Sequence, residues 1–112
     1  MSTPLPNYLR TLRKRAGLTQ KDVALLLGCS NESKVSRYEQ FARQPTLVTA
    51  LACEALFGVP LCEMFAGMYD EAHAAVLARA RSLGERLDQQ PDSASVRKRQ
   101  FLEALLSKNL SQ

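Results

Sequence analysis

The chain has 112 residues, enough for one core of ordinary size or for a small domain with an appendage, and too few for several domains. Fifteen Lys/Arg against eleven Asp/Glu give a net charge of +4, which suits an acidic polymer as partner but is common among soluble proteins. The surplus is uneven: residues 1–65 hold eight Lys/Arg against five Asp/Glu, and residues 66–112 hold seven against six.

The spacing predicts a first helix over about Pro6 to Ala16, with Leu9 and Leu12 inward, Pro6 suited to the first turn and Gly17 ending it. Thr19 can N-cap a second helix that opens with Gln20, Lys21 and Asp22. Val23, Ala24 and Leu27 share one face of it. Gly28 falls just past its end, where a left-handed backbone suits glycine. Small Ala24 lets a further helix cross at close range. That helix runs from about Asn31 or Glu32 to Gln40, with Val35 and Tyr38 inward. Its remaining Ser33, Lys34, Ser36 and Arg37 are hydrogen-bonding or charged residues rather than core material; a solvated helix face is the plain alternative. A fourth helix, about Thr46 to Phe57, carries a wide apolar stripe of Leu47, Ala50, Leu51, Ala55 and Leu56 before Gly58. A fifth is one or two turns around Leu61 to Phe65. These faces predict one compact all-α core.

Residues 8–65 resemble the Xre/Cro/lambda-repressor-like helix-turn-helix family. The resemblance rests on Leu9-Arg10 and Leu12-Arg13 before Ala16-Gly17-Leu18-Thr19-Gln20, then Ala24, Leu27-Gly28-Cys29-Ser30 and Val35-Ser36-Arg37-Tyr38-Glu39. Pro45-Thr46-Leu47 and Phe57-Gly58-Val59-Pro60-Leu61 continue it. Two features depart from the family pattern. The turn between the motif helices is one residue longer, and Leu25 and Leu26 stand where polar side chains are usual, so both are expected to be covered by something outside the five helices. The resemblance implies a five-helix lambda-repressor-like DNA-binding domain whose helix 31–40 enters the major groove of duplex DNA. Ser33, Lys34, Ser36 and Arg37 would line the groove side, with Asn31 and Glu32 flanking the helix start. Gln20 would meet a phosphate and brace the recognition helix. Arg43 and Gln44 would form the backbone-contacting loop, with Arg10, Lys14 and Lys21 as weaker phosphate candidates. The resemblance also implies an ion pair between Arg13 and Glu39.

Beyond residue 66 the pattern lengthens. Tyr69, Ala72, Val76, Ala80, Leu83 and Leu87 recur at coiled-coil-like spacing on a helix of about Met68 to Gln90. Pro91 interrupts, and Asp92 or Ser93 can cap a last helix to about Asn109 whose apolar face holds Val96, Phe101, Leu102, Leu105, Leu106 and Leu110. The division expected is a DNA-binding domain over 1–66 and a C-terminal two-helix hairpin over 67–112. Such a hairpin cannot bury both faces alone. It packs within the chain or self-associates, and we read Val76, Ala80, Leu83, Leu87, Phe101, Leu102, Leu105 and Leu106 as a homodimerisation element.

No catalytic constellation, metal-ligand spacing or cofactor motif is visible, so neither an enzyme nor a cofactor is expected. Glu54, Glu63, Asp70 and Glu71 read as solvated carboxylates. Cys29, Cys53 and Cys62, odd in number and without a C-x-x-C, read as reduced buried thiols of a cytoplasmic protein, with a redox or metal sensor as the other reading. No apolar run approaches the ~20 residues that span a membrane, and MSTPLPNYLR is not built like a signal peptide. The expectation is a DNA-binding transcriptional regulator acting as a homodimer. The alternative is a protein-interaction module, such as an antitoxin or accessory subunit, that docks a partner through its C-terminal helices.

Overall fold

The computed structural model describes residues 5–89 and 93–110, all of whose regular elements are helices. In order these are α1 (Leu9–Arg15), α2 (Gln20–Leu27), α3 (Glu32–Glu39), α4 (Leu47–Phe57), α5 (Leu61–Met64), α6 (Ala66–Gln89) and α7 (Ser93–Leu110). The chain forms two compact units divided in sequence between Tyr69 and Asp70, inside α6. Pro91 and Asp92 lie outside the described residues. No helix among those described is long and apolar enough to cross a membrane.

α1 begins at Leu9, three residues later than the spacing predicts, because the preceding residues are held by tertiary bonds. Buried Asn7 accepts the Leu9 N–H at 3.1 Å on Oδ1 and donates from Nδ2 to the Tyr38 carbonyl at 3.0 Å. The Tyr8 N–H goes to the Met64 carbonyl at 2.8 Å. One core joins Leu9, Tyr38, Cys53, Met64 and Phe65. A second joins Val23, Ala24 and Val35.

The helix ends follow local chemistry. Thr19 and Asp22 form a reciprocal capping box at α2: the Asp22 N–H donates to Thr19 Oγ1 and the Thr19 N–H to Asp22 Oδ2, each at 3.0 Å. These bonds hold the Asp22 carboxyl below its ordinary range. A depressed acid contributes stability above its unfolded value and loses it as pH falls through the folded one. The stability gap between the wild type and Asp22→Asn, followed by urea unfolding, is therefore expected to close on acidification. A gap independent of pH would contradict it.

α4 buries only part of the stripe expected for it, since Ala50 and Leu56 pack inward. Cys53 is fully buried, with Ala50 and Phe57 packed against the same core, whereas Leu47 is 71% exposed and Leu51 and Ala55 are exposed too. The helix is apolar nearly all round, so periodicity alone did not single out the inward face. Glu54 is not simply solvated: its Oε1 accepts the Leu61 N–H at 2.9 Å, closing the start of α5. Nor are all three thiols buried, since Cys62 is exposed and Cys29 half-buried. Burial, with a smaller contribution from Cys29, pushes the Cys53 thiol up to about 11.

In the second unit, Ala80 and Leu87 of α6 bury against Leu102 of α7, with Leu105 and Leu106 packed on them. Arg99 Nη2 donates to the Leu87 carbonyl at 2.8 Å, satisfying an acceptor that the last turn of α6 leaves open. Five of the eight residues read as a dimerisation element are thus committed to packing within this unit. Val76, Leu83 and Phe101 remain exposed.

Candidate nucleic-acid interface

Gly28 ends α2 in the left-handed region, with φ of 76°. The Cys29 N–H then returns to the Ala24 carbonyl at 2.8 Å and turns the chain. After Asn31, α3 crosses α2 with Val35 against Val23 and Ala24. The small Ala24 side chain permits that close crossing. Asn31 makes no side-chain bond to the helix backbone; its Oδ1 accepts from the Ser33 hydroxyl instead.

The outer face of α3 is polar. Glu32, Ser33, Arg37 and Gln40 are exposed, and Lys34 and Ser36 are half-buried. Ser36 accepts from Gln40 Nε2 at 3.3 Å. The two serine hydroxyls therefore have intramolecular partners, which the sequence reading did not foresee, while Arg37 projects into solvent. Arg43 and Gln44 are exposed on the segment between α3 and α4, and Arg10, Lys14 and Lys21 are exposed on α1 and α2.

The end of α3 is held by a buried polar cluster drawn from three helices. Arg13 Nε lies 2.6 Å from Glu39 Oε2, and Arg13 Nη2 donates to Glu39 Oε1 at 3.1 Å. Gln20 Nε2 donates to the same Oε1 at 3.2 Å, and Arg13 Nη1 to the Leu18 carbonyl at 3.1 Å. The Glu39 side chain is 3% exposed and that of Arg13 13%. The carboxylate holds the Arg13 guanidinium above its ordinary value. A planar fork on a carboxylate fixes distance and angle together, so α1, α2 and α3 share one rigid joint. The Gln20 side chain is thus engaged in bracing the end of α3.

Leu25 and Leu26 are 80% and 55% exposed, so the five helices of the first unit leave both uncovered. Two residues went unnoticed in the sequence. Asn7 could have been found, since an Asn just before the first inward leucine is a helix-start signal. Phe41 could not, because nothing in its neighbours announces a left-handed aromatic at φ 63°.

Among the described residues no group of three or more His, Cys, Asp or Glu could hold a metal ion. Neither a curated protein nor a solved structure matches the chain. The helix-turn-helix domain family matches residues 5–64, from the segment before α1 to the last residue of α5. That stretch is more than half of the sequence and contains both motif helices and their brace: the chain belongs to the helix-turn-helix domain family.

Proposed function

We propose that the chain is a sequence-specific transcriptional regulator of the Xre/Cro/lambda-repressor-like kind, binding duplex DNA as a homodimer. Residues 1–66 form the DNA-binding domain, and residues 67–112 supply dimer contacts. The observation that carries this reading is α3 itself. Its inner face is buried, its end is locked by Arg13, Glu39 and Gln20, and its outer face offers Lys34 and Arg37 with no unpaired carboxylate after Glu32. The family match over the same residues favours DNA over a module whose main partner is a protein.

Selection of bound duplexes from a random pool by the full chain tests the reading. A palindromic consensus is expected, and a pool that never enriches would refute it. On the enriched duplex, Arg37→Ala is expected to lose ~1–3 kcal/mol of discrimination against scrambled sequence, the worth of a bidentate Arg–guanine pair. Arg43→Ala is expected to weaken all duplexes alike and to lower the salt slope by about one. Unchanged discrimination would remove Arg37 from the base-reading set, and a loss confined to one base position would make Arg43 a base reader.

A further inference from the structure

Phe41 occupies a position that costs free energy. It follows Gln40 at the end of α3, and its φ is 63°, the left-handed region that a bulky side chain rarely enters. The turn it makes is well formed: the Phe41 N–H returns to the Tyr38 carbonyl at 3.1 Å and the Ala42 N–H to the Arg37 carbonyl at 2.9 Å. That closing motif ordinarily places glycine in the left-handed position. Phe41 is 47% exposed, so much of it is left open to solvent.

The sequence on either side of Phe41 indicates what its exposed side chain meets. From Ser33 to Cys53 the charged residues are Lys34, Arg37, Glu39 and Arg43. The one carboxylate among them is buried against Arg13. An exposed aromatic in a segment whose available charge is entirely positive fits a polyanion better than an apolar protein surface. A recognition helix reads base edges with its N-terminal residues, so its far end lies toward the sugar-phosphate backbone. We infer that the Phe41 ring packs against a deoxyribose of the bound duplex, its strained backbone retained to place it there. This rests on the DNA-binding reading above.

Phe41→Gly relieves the strain and removes the ring, while Phe41→Ala removes the ring and keeps the strain. In the full chain, Phe41→Gly is expected to melt about 5 °C higher than the wild type and Phe41→Ala no higher. Both are expected to bind a random-sequence duplex pool about tenfold more weakly, near 1.4 kcal/mol. The salt slope is expected to stay unchanged, because no cation is lost. Wild-type binding that both variants match would overturn this inference alone, and a wild type that binds no duplex would overturn it together with the DNA reading. A loss restricted to particular sequences would make Phe41 a base contact. A Phe41→Gly protein less stable than the wild type would show that the ring is held by the fold. Variants that keep DNA affinity but sediment as smaller species would assign the ring to a protein interface.

Discussion

Glu39→Ala is expected to destabilise the DNA-binding unit by about 3 kcal/mol, the order of loss found when one member of a buried ion pair is removed. The reason is what remains. Arg13, only 13% exposed at its side chain, keeps the Leu18 carbonyl but loses both carboxylate bonds, and Gln20 loses its acceptor. Arg13→Ala is expected to do comparable damage from the other side, leaving a carboxylate that is 3% exposed with Gln20 as its remaining side-chain donor. Removing both charges, as Arg13→Met with Glu39→Leu, deletes the uncompensated group and is expected to fall closer to the wild type than either single variant. Urea unfolding of the four proteins reads the coupling directly. If the two single effects simply add, the cluster is not a unit and its role as the joint of α1, α2 and α3 is lost.

Val76→Glu with Leu83→Glu is expected to yield monomers that bind a palindromic duplex about a hundredfold more weakly. The second half-site then no longer benefits from a tethered partner. Val76 and Leu83 lie seven residues apart on α6 and are both exposed, the spacing of a coiled-coil seam. In a twofold dimer the two copies of α3 would sit ~34 Å apart, one turn of duplex, and enter successive major grooves. Leu87→Glu makes the useful contrast. Leu87 is buried against α7, so a charge there is expected to unfold the second unit rather than to separate intact protomers. Sedimentation and circular dichroism distinguish the two outcomes. A wild type that remains monomeric at high concentration and binds DNA in that form would remove the seam from the proposal.

Much of this architecture was legible because it depends on near neighbours in sequence. Thr19, Asp22, Gly28, Thr46 and Gly58 mark helix ends through bonds that span three or four residues, and Val35 and Tyr38 declare the inward face of α3 by their spacing. Three kinds of feature escaped. The start of α1 depends on Tyr38 and Met64, partners about 31 and 56 residues away, which no local rule contains. The inward face of α4 was only partly visible, through Ala50 and Leu56, because leucine and alanine surround that helix. The α6 stripe combined two surfaces: spacing placed Ala80 and Leu87 with Val76 and Leu83, but α7 takes only the first pair. The Arg13–Glu39 pair lies between these cases. Charge alone could not have joined residues 26 apart, and the expectation came from the resemblance rather than from the pattern.

The backbone bonds at the two ends of the first unit close it on itself. The Tyr8 N–H meets the Met64 carbonyl, and the Gly67 N–H meets the Leu5 carbonyl at 2.9 Å. The chain therefore enters and leaves this unit at one place, like a ring fastened by a clasp. A ring has no obligatory starting point. Residues 5–69 could be rejoined through a few flexible residues near the clasp and reopened in the exposed segment around Ala42 to Gln44, giving a permuted domain with the same core. The same clasp makes the unit portable: it can be inserted into a surface loop of another protein without forcing the host's strands of chain apart.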